Sequence, residues 1–137
     1  MERLGGEPLK YAQSHQNDPL GAAVALEVVR VIRKEGLIER CGELAAMLKT
    51  GLEEIKNHTD RIKEIRARGL LAAVELIDDP EASFTLRVHR ELVRRGFVVG
   101  RRPGVSVLRL DPSLTIDPED IECFLKTLED VLTESPS

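Results

Sequence analysis

The stretch VLRLDPSLTIDPEDIECFLKTLEDVL, residues 107–132, contains the signals that decide the fold. Its first residues belong to a mostly apolar run, residues 105–110, that is typical of a strand. Asp117-Pro118 then places a helix-capping residue before a proline at the first helical position. The apolar residues that follow at helical spacing are Ile121, Phe124, Leu125, Leu128, Val131 and Leu132. The stretch therefore predicts a strand followed by an amphipathic helix.

Signals of the same kind predict further elements upstream. The predicted helices cover Pro19–Lys34, 37–56 and 81–95, and the predicted strands cover 62–68, 70–77 and 97–99. Gly69 is expected to form a bend or bulge between two strands, and residues 100–104 a loop. The order α-α-β-β-α-β-β-α predicts an α/β (α+β) fold, a small, mostly antiparallel sheet with helices packed on it.

The first predicted helix, Pro19–Lys34, is apolar nearly all round. Its polar residues form one stripe at Glu27, Arg30 and Lys34, with Arg33 near the end. A helix of this kind has to be covered on several sides. A domain of 137 residues can cover one or two of them. The helix therefore indicates that a covering surface is missing from the chain.

Composition excludes several classes of function. The formal net charge is −4, and basic and acidic residues are interleaved, so no nucleic-acid-binding surface is expected. No apolar run is long enough to span a membrane. Residues 1–6 lack the apolar region of a signal peptide, and Cys41 and Cys123 form no CxxC motif. We expect a cytoplasmic protein with two buried, unpaired thiols.

Arg109 is the most informative single residue, because it lies in a strand whose alternating faces are both mostly apolar. A guanidinium in such a place needs an anionic partner. Its fork of donors suits a carboxylate, which could come from a ligand or from an Asp or Glu of the same domain. Arg66 and Arg68 share one face of another strand, where they are expected to be solvated or to form ion pairs.

Ser14 is the second candidate, because its hydroxyl could reach a phosphate near the start of the first helix. The simpler interpretation is a polar loop before a helix capped by Asp18. His15, His58 and His89 are scattered along the chain, so no metal site is predicted.

The segments SHQNDPLGAAVALEVV, IRARGLLAAVEL and VLRLDPSLTIDPEDIECFLKTLEDVL, taken together, resemble the C-terminal third of class III aminotransferases. These are pyridoxal-phosphate enzymes of fold type I and include acetylornithine, ornithine and 4-aminobutyrate aminotransferases. The resemblance covers residues 11–132. It implies the transfer of an amino group from an amino donor to a 2-oxo acid, in a homodimer.

The resemblance also implies roles for particular residues. Ser14 occupies the place of the Ser or Thr that contacts the cofactor phosphate of the partner subunit. Arg109 occupies the place of the arginine that binds the substrate carboxylate. The implied organisation is an N-terminal connecting segment (residues 1–18), an interdomain helix (19–35) and a C-terminal small domain (36–137).

The sequence departs from the family pattern in small ways and in one large way. Ser106 and Ser113 replace a usual Asn and Pro, and Ala67 and Ala73 stand where glycine is frequent. The larger departure is that the lysine that binds the cofactor, with the other cofactor-holding residues, lies upstream in the family. The lysines of this chain are Lys10, Lys34, Lys49, Lys56, Lys63 and Lys126, and none lies in that context.

The chain alone is therefore expected to be inactive and to need a separate N-terminal cofactor domain as its partner. The competing hypothesis is a non-catalytic binding or assembly module. In that case the apolar face of Pro19–Lys34 is a self-association surface.

Overall fold

The computed structural model describes residues 18–134. The chain divides into two compact units, residues 1–35 and residues 36–137. In the first unit, helix α1 covers Pro19–Lys34 as predicted. Asp18 caps it, since its carboxylate accepts a 3.0 Å hydrogen bond from the amide of Leu20. Within the described residues α1 has no buried side chain, and Leu20 and Val24 are 72% and 57% exposed.

The second unit contains the remaining helices and the strands, in the predicted order. The helices are α2 (Leu37–His58), α3 (Ser83–Arg94) and α4 (Pro118–Thr133), and the strands are β1 (Ile62–Arg68), β2 (Leu71–Leu76), β3 (Gly100–Arg101) and β4 (Val107–Leu110). The four-stranded sheet has the order β1-β2-β4-β3, and every neighbouring pair is antiparallel. The predicted fold class is confirmed.

The core of the second unit lies between one face of the sheet and helices α2, α3 and α4. Its fully buried members include Leu52, Val74, Leu92, Leu108 and Leu128, each 0% exposed. These residues come from all three helices and from the two central strands, so the elements form one continuous apolar cluster. The opposite face of the sheet carries the residues that alternate with the buried ones.

Helices α2 and α4 approach each other closely at Gly51. A Cβ atom at this position would lie 2.3 Å from the Cδ1 atom of Leu125, which is far inside van der Waals contact. The predicted inward face of α4 is confirmed for Ile121 and Phe124, which are buried, while Leu125 is half-buried against α2. Gly51 therefore allows the two helices to pack with Leu125 between them.

One predicted strand is wrong. Residues 97–99 are irregular, and β3 instead occupies Gly100–Arg101, inside the predicted loop. The amide of Phe97 continues the hydrogen bonding at the end of α3. The carbonyl of Val99 accepts a 3.1 Å hydrogen bond from Nε2 of His89 on α3. The amide of Phe97 and the carbonyl of Val99 thus form hydrogen bonds with residues of α3 rather than with a neighbouring strand.

The prediction that both cysteines are buried is wrong. Cys123 is exposed, because it lies two positions after Ile121 and therefore off the face of α4 that packs on the core. Cys41 is half-buried, with its thiol 3.7 Å from the carbonyl of Leu114. Both thiols are unpaired, as expected.

The start of α4 at Pro118 agrees with the prediction, but the expected cap does not form. Asp117 has the extended backbone of a cap residue, with φ −81° and ψ 144°, yet its side chain accepts no capping hydrogen bond. Its carboxylate lies 3.6 Å from the guanidinium of Arg40 on α2 instead.

No helix between residues 18 and 134 is both long and apolar enough to cross a membrane.

Candidate functional site

The candidate site lies on the face of the sheet that points away from the helices. Strand pairing places Arg66 opposite Ala73, Ala73 opposite Arg109, and Arg109 opposite Gly100. Because residues in register across a sheet project from the same face, these four residues form one transverse row, which we call the arginine row. Two long cationic side chains in it alternate with residues that have almost no side chain.

Arg109 is exposed rather than enclosed, which corrects the expectation that apolar neighbours surround it. Its side chain is 63% exposed, because β4 turns Leu108 and Leu110 toward the core and Arg109 toward the open face. Its Nη2 atom lies 2.9 Å from Oδ2 of Asp111, two residues along the chain. The ion pair within the domain, one of the two expected partners, is therefore present. The role of Arg109 toward a substrate stays a prediction.

Gly100 provides the space in which the Arg109 side chain lies. A Cβ atom at position 100 would be 3.3 Å from both Cβ and Nε of Arg109. That separation is tighter than ordinary van der Waals contact, so a larger residue would push the guanidinium away from β3. The absence of a side chain at position 100 thus helps to set the position of the guanidinium.

The carboxylate of Glu75, on the same open face, is occupied by other cations. It accepts a 2.7 Å hydrogen bond from Lys63 and a 2.9 Å hydrogen bond from Arg66, which also contacts Glu64. The hydrogen bonds from Lys63 and Arg66 lower the pKa of Glu75. The positive charges of Lys63 and Arg66 are thus balanced by Glu64 and Glu75, as expected for an ion-pair strip on this strand. Arg109 forms its ion pair with Asp111 instead.

A shallow depression of about 340 Å³ contains three of the four residues of the arginine row. It is lined by Arg66, Ala67, Arg68, Leu71, Ala72, Ala73 and Arg109. On the open face, Ala73 lies between Arg66 and Arg109 in the register of the sheet, and Leu71 is 54% exposed. Guanidinium groups suit a compact anion such as a carboxylate. Ala67 and Ala73 are the positions where the sequence departs from the glycines frequent in the family.

A larger depression, of about 520 Å³, lies where β4 leads into the loop before α4. Its lining includes Phe97, Val98 and Ile116 together with Asp111 and Asp117, and it contains no basic residue. Its acidic rim does not suit an anionic ligand. The arginine row is therefore the better candidate for binding a carboxylate, although its depression is smaller.

The remaining site predictions are only partly within the described chain. Ser14 lies outside the described residues. Among residues 18–134 no group of three or more His, Cys, Asp or Glu side chains could hold a metal ion. Neither depression is lined by a lysine, and the hydrogen bond from Lys63 to Glu75 raises the pKa of that amine and keeps it protonated.

Two contributors to this site are absent from the predictions made on the sequence. Asp111 follows Arg109 at the two-residue spacing that puts side chains on one strand face, so the spacing could have revealed it. Gly100 could not be found in this way, because its relation to Arg109 depends on the pairing of β3 with β4.

The fold of this chain also occurs in solved transaminases. Acetylornithine aminotransferase from Elizabethkingia anophelis superposes with a TM-score of 0.83 at 27% identity, covering 92% of this chain and 31% of that one. The family described as aminotransferase class-III matches residues 5–132. The chain therefore belongs to the class-III aminotransferases, a pyridoxal-phosphate-dependent family.

Curated relatives support the same membership. The ornithine aminotransferase car2 of Schizosaccharomyces pombe is 33% identical over 135 residues, which are 95% of this chain and 30% of that protein. The mitochondrial ornithine aminotransferase of Oryza sativa subsp. japonica is 31% identical over 130 residues, 92% of this chain and 27% of that protein. The chain thus spans less than a third of the length of either relative.

Proposed function

We propose that the chain supplies the C-terminal small domain of a pyridoxal-phosphate-dependent aminotransferase of fold type I. The reaction is the transfer of an amino group from an amino donor to a 2-oxo acid. Membership of the family over residues 5–132 supports this proposal. The domain organisation proposed is a connecting segment (1–18), an interdomain helix (19–35) and the small domain (36–137).

In this proposal Arg109 binds the carboxylate of the substrate. The observation that carries it is the position of Arg109 on the open sheet face, 63% exposed, between Ala73 and Gly100 in the arginine row. A ligand can approach this guanidinium without rearrangement of the core. An arginine fork binds a carboxylate through two charge-assisted hydrogen bonds, which fix the orientation of the ligand as well as its affinity.

Helix α1 takes the role of the interdomain helix. Its apolar side chains, among them Leu20, Val24 and Val28, are 72%, 57% and 52% exposed, which is costly for a helix facing water. An N-terminal cofactor domain that packs on α1 would remove this apolar surface from solvent. A cofactor domain N-terminal to these residues is also consistent with the fraction of each relative that the chain covers.

Pyridoxal phosphate, when bound, supplies the electron sink on which amino-group transfer depends. Of this chain's residues, Ser14 is proposed to hold its phosphate, in the active site of the partner subunit of a homodimer. Arg109 orients the substrate by its carboxylate. The 137 residues alone are proposed to be inactive, because the lysine that binds the cofactor lies upstream of the matching segment in the family.

A cytoplasmic location completes the proposal and is supported by the unpaired thiols of Cys41 and Cys123. Disulfides persist in oxidising compartments, where an exposed thiol such as Cys123 would be at risk of oxidation.

A chimera tests the function directly. Residues 11–132 of this chain replace the corresponding segment of the Schizosaccharomyces pombe relative, and transamination is measured with an amino donor and 2-oxoglutarate. The control is the relative with that segment deleted. We expect activity in the chimera and none in the control or in the isolated chain. A folded chimera that retains pyridoxal phosphate but has no activity would contradict the proposal.

The exposure of α1 also supports the second candidate, a self-association module. That function predicts that the isolated chain forms a defined oligomer, that Val24→Asp disperses it, and that no cofactor domain binds α1. Sedimentation of the chain with and without a separately expressed cofactor domain distinguishes the two functions. The proposed function requires a mixed complex, which Val24→Asp should weaken.

A further inference from the structure

The geometry around Arg109 points to a competing carboxylate within the chain. We propose that Asp111 occupies the guanidinium of Arg109 in the free protein and is displaced when a carboxylate ligand binds. Asp111 thereby sets the affinity and the exchange rate of that site. This inference rests on the proposed carboxylate-binding role of Arg109 and adds a residue that controls it.

The ion pair follows from the local backbone. Residues two apart on an extended strand project from the same face, so Arg109 and Asp111 are neighbours on the open face. Pro112 follows directly, and β4 ends at Leu110, so Asp111 stands at the exit of the strand. The side chains of Arg109 and Asp111 are 63% and 50% exposed, and Nη2 of the arginine lies 2.9 Å from Oδ2 of the aspartate.

No other described carboxylate competes for this guanidinium. Glu75 is the alternative carboxylate that the strand register brings near Arg109. It pairs with Val107, which lies two residues before Arg109 on the same face of β4. Its oxygens are engaged by Lys63 at 2.7 Å and by Arg66 at 2.9 Å. Within residues 18–134, Asp111 is the only acidic residue that forms an ion pair with Arg109.

Displacement follows from the limited number of donors. A ligand carboxylate that binds in a bidentate manner needs two neighbouring N–H groups of the fork, and Asp111 already engages Nη2. A second carboxylate beside Asp111 would also meet like charge. The ligand and Asp111 therefore bind in alternation.

The exchange should be easy because both partners are exposed. Ion pairs between solvated side chains contribute little to stability, so a ligand can displace Asp111 without unfolding any element. Removing the competitor should strengthen carboxylate binding by about two- to fivefold, the range that weak exposed pairs allow.

The test is a titration of the full ¹⁵N-labelled chain with 2-oxoglutarate, followed through the Nε–Hε resonance of the Arg109 side chain. Arg109→Lys removes this resonance and thereby assigns it. The variants are Asp111→Asn and Asp111→Ala, and backbone amide spectra verify their fold. Asp60→Asn is the matched control for charge, since it lies in the turn before β1 and its side chain makes no hydrogen bond among the described residues.

We expect both Asp111 variants to bind 2-oxoglutarate about two- to fivefold more tightly than the original chain, and Asp60→Asn to leave the affinity unchanged. Equal affinities in the Asp111 variants and the control would overturn the competing role while leaving the function of Arg109 intact. Weaker binding would overturn it too, because Asp111 would then orient Arg109. If no variant gives a saturable shift of the Arg109 resonance, the carboxylate-binding role itself fails.

Discussion

Gly100 on β3 lies directly opposite Arg109 on β4, and a Cβ atom added at position 100 would be 3.3 Å from both Cβ and Nε of that arginine. A two-residue strand therefore controls the space beside the principal cation of the open sheet face. The position of the guanidinium depends on this neighbour as well as on Asp111.

Substitution of this glycine should move the arginine without unfolding the domain. In Gly100→Ala we expect the Arg109 side chain to shift by a few tenths of an ångström, with an off-rotamer cost of about 0.5–1.5 kcal/mol. Binding of 2-oxoglutarate, measured by the Arg109 side-chain resonance, should weaken by about two- to tenfold. An unchanged affinity would show that Gly100 has no part in positioning the guanidinium. Gly42→Ala, on open helix surface, is the control.

Two glycines of α2 should respond in opposite directions to alanine. Gly51→Ala places a methyl group 2.3 Å from Leu125, and we expect a net loss of about 1–2 kcal/mol because overpacking outweighs the gain in helix propensity. Gly42 has nothing within 4 Å of its Cβ position, so Gly42→Ala should stabilise the domain by about 0.5–1 kcal/mol. Urea unfolding measures both changes. Effects of the same sign would contradict the close approach of α2 and α4.

Glu91 should make the free energy of unfolding depend on pH in the acidic range. Hydrogen bonds from Arg94 and Arg95 lower the pKa of Glu91 to about 2, and Arg95 also joins Glu134 after α4. A carboxyl with a lowered folded-state pKa stabilises the fold above its unfolded pKa of about 4.3, and this contribution disappears as the pH falls toward about 2. The original chain should therefore be more stable than Glu91→Gln near neutral pH, and the difference should vanish near pH ~2.

Denaturant unfolding at several pH values measures that difference. Glu81→Gln is the control, because Glu81 forms no ion pair among the described residues, and its substitution should leave the acid dependence as it is. A gap between Glu91→Gln and the original chain that stays constant with pH would contradict the ion pairs at the end of α3.

The sequence is sufficient to predict an element where a local signal determines the backbone conformation. Asp18-Pro19 predicts the start of α1 to the residue, and Gly69, with φ +60°, forms the turn between β1 and β2 that its lack of a side chain suggests. Strand β3 could not be predicted in this way. Its two residues have no strand pattern of their own, and they become a strand only by pairing with Leu108 and Arg109.

The candidate site shows the same limit. Arg109 can be chosen from the sequence because an arginine among apolar strand residues is unusual. The exposure of its side chain cannot be predicted from the sequence, because it depends on which face of β4 the helices cover. The register of four strands is also needed to bring Arg66, Ala73 and Gly100 into one row with it. Tertiary pairing, rather than spacing along the chain, determines the site.

In the proposed function, this chain completes a transaminase by holding the substrate carboxylate with Arg109. The most direct measurement is kcat/KM for 2-oxoglutarate in the original chimera and in its Arg109→Lys and Arg109→Met variants. We expect Arg109→Met to lose about ten- to a hundredfold, because a charge-assisted hydrogen-bonded pair contributes about 1.5–3 kcal/mol, and Arg109→Lys to recover part of the loss. An active chimera in which Arg109→Met leaves kcat/KM unchanged would contradict the claim.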